Sequence, residues 1–111
     1  MTRRYCYTLD LKEDPQLISD YKKHHEKIWP EVASSYRECG VEDMEIYLVG
    51  TRMFMIMEVN DRFTFEQKAR ADATPRLQEW ERLMETFQQV PDNASGHKWM
   101  PMERIFQLKA Q

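Results

Sequence analysis

The stretch VEDMEIYLVGTRMFMIMEV, running from Val41 to Val59, decides the fold. Gly50-Thr51 is a short turn signal between two runs of strand-forming residues. The spacing therefore predicts an antiparallel hairpin, Val41–Val49 against Arg52–Val59. In the second run Met53, Met55, Met57 and Val59 share one face, and Phe54 and Ile56 take the other. Apolar residues on both faces predict a strand buried on both sides.

Upstream, Arg3 to Leu11 alternates. Tyr5, Tyr7, Leu9 and Leu11 point one way, and Arg4, Cys6, Thr8 and Asp10 the other, as in a half-buried strand. Asp14-Pro15 is an N-cap followed by Pro in the first helical turn. Leu17, Tyr21, His24/His25 and Ile28 recur at helical spacing. Pro30-Glu31 starts a second helical stretch carrying Val32 and Tyr36, which Gly40 stops. Downstream, Asn60 or Asp61 is expected to cap a helix with Phe63, Phe65 and Ala69 as apolar positions. Thr74-Pro75 restarts helix, with Leu77, Trp80, Leu83, Met84 and Phe87 on one face. After the polar loop 91–96, Met100 to Leu108 reads as a closing strand. The order β-α-β-β-α-β is the α+β, ferredoxin-like pattern. Helices on one sheet face would leave large apolar groups on the other. Two such sheets facing each other in a homodimer would bury them and enclose a pocket, so a homodimer is expected.

The chain has 111 residues, enough for one domain, 1–111. Sixteen basic and nineteen acidic residues give a net charge of -3. No basic block exceeds a short pair, which argues against nucleic acid as a partner. Cys6 and Cys39 match no metal spacing and cannot build a disulfide framework. The start Met-Thr-Arg-Arg has no apolar h-region, and the longest apolar run, Met53 to Met57, is too short to span a membrane. A cytoplasmic protein without membrane contact is expected.

Chemistry concentrates in YKKHHEKIWPE, Tyr21 to Glu31. Tyr21, His25 and Trp29 are spaced by four, so a continuous helix would stack them on one face. Pro30 ends or kinks that helix near Trp29. An imidazole titrates near neutrality and can both take and give a proton. A histidine near a helix end, beside a phenol and an indole, could transfer protons in a sugar-sized pocket. On spacing alone such a stripe is more often simply core. His24 would point about 100° away from His25, and spacing alone does not choose between them. No Gly-rich phosphate loop or nucleophile motif is visible.

The element order and Tyr21-x-x-x-His25-x-x-Ile28-Trp29-Pro30-Glu31 together resemble the L-rhamnose mutarotase family. So do Ile46-Tyr47-Leu48 in the second strand, Trp80 and Met84 in the last helix, Pro91-Asp92-Asn93, and the ending Ile105-Phe106-Gln107-Leu108. The resemblance spans nearly the whole chain. It implies a small dimeric α+β barrel that interconverts the α and β anomers of a 6-deoxy sugar without a cofactor. His25 then takes the place of the principal acid/base. Tyr21, one turn before it, is the second candidate catalytic residue, able to hydrogen-bond a sugar hydroxyl or the ring oxygen, and the group that completes the acid/base pair stays open. Tyr47, Trp29, Trp80 and Trp99 are the candidate substrate-binding residues. Where the family tends to carry two adjacent tryptophans, this chain has Glu79-Trp80, with Trp99 ahead of the last strand. That departure leaves both L-rhamnose and L-fucose as substrates.

Several polar groups stay open. Glu31 reads first as a carboxylate favoured by a helix N-terminus. Asp10, Glu58 and Arg104 could face the pocket or not, and His97 falls in the polar loop. The methionines of the third strand read as adaptable core. The rival functions are a barrel monooxygenase or haem-degrading enzyme and a non-catalytic small-ligand-binding dimer, because a shared scaffold does not decide between them.

Overall fold

A computed structural model of the chain describes residues 2–92 and 98–111. The order is β1 (Arg3–Leu11), α1 (Pro15–Glu26), α2 (Pro30–Glu38), β2 (Val41–Val49), β3 (Arg52–Val59), α3 (Phe65–Asp72), α4 (Pro75–Glu85), β4 (Gln88–Gln89) and β5 (Met100–Pro101), then a short 3-10 turn at Leu108–Ala110. The strands form one antiparallel sheet in the order β2-β3-β1-β4, with β5 also pairing with β1. This is the expected α+β, ferredoxin-like arrangement, with each helical region divided in two.

The hairpin forms as its turn residues require. Val49 pairs with Arg52, and Gly50 takes φ 59 at the first central position, the backbone a type II′ turn needs. Gly40 (φ 95) reverses the chain between α2 and β2, and its carbonyl accepts from the Asn60 amide at 2.8 Å. An added Cβ there would lie 2.5 Å from Asn60 Oδ1. Asp14 caps α1, its carboxylate accepting from the Gln16 and Leu17 amides.

Cross-strand register fixes which side chains share a face. Leu9 sits opposite Met53, Tyr7 opposite Met55, and Tyr5 opposite Met57; Ile46 and Leu48 of β2 line up with Met55 and Met53. This face receives the helices. Leu9, Leu11 and Met53 pack with Tyr21 of α1, Val32 of α2, and Leu77, Trp80 and Met84 of α4. A second cluster joins Val41, Met57, Val59 and Phe63.

Three expectations need correction, and a fourth is decided between its two outcomes. The third strand is not covered on both sides within one chain: Phe54 and Ile56 are only half-buried, because every helix packs on the methionine face. Of the two outcomes expected near Trp29, an end or a kink, the chain takes the end, so the first helical region is two helices. Residues 27–29 are non-helical, since the residue before a proline avoids the α conformation. The third helix is capped by Thr64, whose hydroxyl accepts from the Gln67 amide, while Asn60 closes a turn onto Arg62 instead. Finally, the closing strand is not Met100–Leu108. The fourth position is filled by two fragments along one edge of β1. Gln88 lies opposite Leu11, and Met100 opposite Thr8. After Met102, whose amide donates to the Cys6 carbonyl at 2.8 Å, the chain leaves the sheet. Ile105 is 90% exposed and Phe106 66%. Alternation alone could not reveal that this segment has no strand partner among the described residues.

Candidate active site

Between the helices and the methionine face lies a cavity of about 600 Å³, within the roughly 300–1,000 Å³ usual for small-molecule sites. α1 contributes Tyr21 and His25, α4 contributes Trp80 and Glu81, and β2 contributes Met44 and Ile46. Tyr36, Gln88 and Trp99 add to the polar and aromatic wall, as do Lys22 and Glu26 of α1.

His25 stands in the last turn of α1, and its Nδ1 lies 2.8 Å from the Tyr21 carbonyl oxygen. A carbonyl only accepts, so Nδ1 carries the proton and Nε2 of the neutral ring is left as an acceptor. Burial lowers the His25 pKa below its usual 6.5; the bond to the Tyr21 carbonyl acts against this, and His24 adds to it. The imidazole is thus held neutral at pH 7, as a general base requires. Its ring packs 4.3 Å from that of Tyr21 and 5.7 Å from Trp80.

Tyr21 is buried, and burial pushes its hydroxyl up to about 12, partly offset by a hydrogen bond from Gln88. It stays protonated and can donate. Gln88 Nε2 lies 3.3 Å from the Tyr21 hydroxyl. Tyr36 is raised still further, by burial first and then by Glu81. Lys98 lies 2.6 Å from Glu81 and 3.5 Å from Glu85. These ion pairs tie the segment carrying Trp99 to α4.

Of the residues expected from the sequence, Tyr21, His25, Trp80 and Trp99 meet at this cavity. Trp29 and Tyr47 do not line it. Trp29 packs between Trp80, 5.1 Å away, and the Arg76 guanidinium, 3.8 Å over its ring. It braces the wall from behind. Tyr47 pairs with Phe54 on the sheet face without helices, is 53% exposed, and donates to Glu45 at 3.0 Å. A one-residue offset decides this: its neighbours Ile46 and Leu48 face the cavity. His24 packs against Phe87, 5.4 Å away, outside the lining. Glu31 opens α2 and pairs with Arg76 at 3.2 Å. Asp10 and Glu58 pair with Arg52 and Arg4 on the outer face, and Arg104 lies on the exposed C-terminal segment. His97 lies outside the described residues.

Gln88, Glu81, Tyr36 and Met44 were not singled out from the sequence. Met44 had a signal: it alternates in phase with Ile46. Gln88 had none, because Phe87 reads as the end of the α4 stripe, whereas α4 ends at Glu85 and the chain turns into β4.

Fold and cavity define a small α+β protein with a pocket that holds a neutral imidazole and a phenol and is walled by aromatic rings. The comparisons make that class specific. A family model described as L-rhamnose mutarotase matches residues 4–108. An L-fucose mutarotase from Xanthomonas campestris is 42% identical over 110 residues, covering 96% of this chain and 88% of that protein. An L-rhamnose mutarotase from Mesorhizobium japonicum is 28% identical, covering 97% and 99%. The crystal structure of an L-rhamnose mutarotase from Formosa agariphila has the same fold, with a TM-score of 0.72 at 19% identity, covering 96% of this chain and 98% of that one. The chain belongs to the L-rhamnose mutarotase family. Its class of activity is that of a sugar mutarotase, an isomerase.

Proposed function

We propose that the protein interconverts the α and β anomers of a 6-deoxyhexose, L-fucose or L-rhamnose, with His25 as the general acid/base. The observation carrying this reading is the Nδ1 contact to the Tyr21 carbonyl, which leaves Nε2 of a neutral imidazole available in a sugar-sized cavity. Nε2 takes the proton of the anomeric hydroxyl as the C1–O5 bond breaks. Tyr21, held protonated by burial, donates to the ring oxygen. The aldehyde turns about C1–C2. Reclosure on the other face returns one proton from His25 to O1 and the other from O5 to Tyr21. No net proton is gained or lost, and the reaction calls for no cofactor. Trp80 and Trp99 offer aromatic faces to the apolar C–H groups and C6 methyl of such a sugar. L-fucose is the first sugar to test, since the more similar of the two curated relatives carries that name.

The working unit in this reading is a homodimer. The helix-free sheet face carries Cys6, Phe54, Ile56, Tyr47 and Val49, and the C-terminal segment exposes Ile105, Phe106 and Leu108. Apolar surface of this kind is what a second copy would cover.

NMR saturation transfer between the anomeric protons tests the activity. Protein-dependent exchange in L-fucose or L-rhamnose, but not in D-glucose, is expected. Sugar binding without exchange would make the protein a binding dimer instead.

A further inference from the structure

We propose that Gln88 is a substrate-binding residue, its carboxamide oxygen accepting a hydrogen bond from a hydroxyl of the bound pyranose, next to the Tyr21 hydroxyl. This rests on the sugar reading above and adds a recognition element to the same site.

Gln88 is 2% exposed. It pairs with Leu11 in the β1–β4 ladder, and ladder partners point to the same face. The side chain is thereby directed among Leu11, Tyr21 and Met84, where an aliphatic residue would pack with no polar group to satisfy. Its two polar atoms have different fates. Nε2 donates to the Tyr21 hydroxyl oxygen at 3.3 Å. Oε1 is buried and has no hydrogen-bond partner among the described residues. Buried polar atoms in folded proteins are paired in the great majority of cases, and one that is not calls for an explanation such as a bound ligand.

Gln88 lines the cavity that also holds His25; in the proposed complex its carboxamide turns toward the ligand, since Oε1 is closed to solvent in this structure, and a sugar hydroxyl supplies the missing donor. The donor arriving at Tyr21 occupies a lone pair of its oxygen and leaves the phenolic O–H free to donate elsewhere. The pair therefore sets one donor, Tyr21 O–H, beside one acceptor, Gln88 Oε1. A sugar hydroxyl or hydroxyl–ether pair has the complementary set. Beyond Tyr21 stands the His25 ring, 4.3 Å away. The same cavity thus holds an acceptor, a donor and a base, a set suited to a polyol and not to an apolar ligand.

The test compares wild type with Gln88→Met, which keeps length and loses both polar atoms, and Gln88→Asn, which withdraws the amide by one methylene. Sugar Kd by calorimetry and KM and kcat by anomer exchange are measured with L-fucose, L-rhamnose and the 2-, 3- and 4-deoxy derivatives of the better one. Both variants should bind the parent sugar about tenfold more weakly, with kcat reduced less than about threefold. One monodeoxy sugar should bind wild type about tenfold more weakly than the parent, yet bind Gln88→Met as well as the parent does. Unchanged Kd and KM would overturn the proposal. So would a loss shared equally by every sugar, which marks a structural role. Should Gln88→Met not fold, Gln88→Asn and the wild-type deoxy series decide. Binding with that selectivity but no exchange in wild type would sink the mutarotase reading and leave Gln88 in place. No binding of any sugar would sink both.

Discussion

His25 is an ordinary residue made useful by two neighbours: a carbonyl that fixes its tautomer and an apolar wall that keeps it neutral. His25→Ala should fold and bring anomer exchange down to near the buffer rate; undiminished exchange by saturation transfer would remove it from its role. The lowered pKa also has a sign. Only the neutral ring can act as base, so kcat/KM should fall with acidity through an apparent pKa below 6.5. Stability follows the same direction: full above the unfolded value, it declines as pH drops from 6.5 toward the folded pKa. A rate profile centred at or above 6.5 would contradict the burial argument. Tyr21→Phe keeps the ring packing on His25 and Phe87 and removes the donor, so exchange should fall about tenfold with the fold intact. Wild-type exchange in that variant would return Tyr21 to the core.

At the scale of elements, the break between α1 and α2 matters most. It ends α1 one residue after His25, where the last carbonyls lack helical partners, and it lets Trp29 swing back between Trp80 and Arg76. A single unbroken helix would continue the hydrogen-bond ladder past that point. The cap at the other end of α1 is conventional. Asp14→Ala should lower stability by about 1 kcal/mol in urea titration. Gly40→Ala should cost more, on the order of 1–3 kcal/mol, because a Cβ at φ 95 meets Asn60 Oδ1. A neutral Gly40 variant would show that this corner can relax. Lys98 adds a link of a different kind, fastening the Trp99 segment to α4 through Glu81 and Glu85.

For the whole molecule, the sheet has two faces with different uses. The methionine face carries helices, core and cavity; the other carries half-buried Phe54 and Ile56 and exposed Tyr47 and Val49. A second copy over that face would make the expectation of a strand buried on both sides correct at the level of the assembly. Ile56→Lys places a charge at its centre without touching the cavity. Sedimentation velocity should then give a monomer for the variant and a dimer for wild type. A wild-type monomer would contradict the dimer.

Local pattern determined much of this protein. Alternation placed β1 and β3 and the two faces of each, because side chains on a strand repeat every two residues, and the turn between two strand-forming runs placed β2. Gly50, Asp14, Pro30 and Gly40 placed the turns, because each relieves or imposes a backbone constraint. Helical spacing put Tyr21 and His25 on one face, and the motif around them led to the family, whose resemblance chose His25 over His24. The tertiary structure alone decided what depends on non-neighbours. It set Tyr47 outside and Met44 inside, since strand phase against the helices is settled by packing. It divided the last strand into β4 and β5, since a strand needs an edge to pair with as well as alternation. It brought Gln88 to Tyr21 across 67 residues of chain, a meeting of two polar groups that no periodicity encodes.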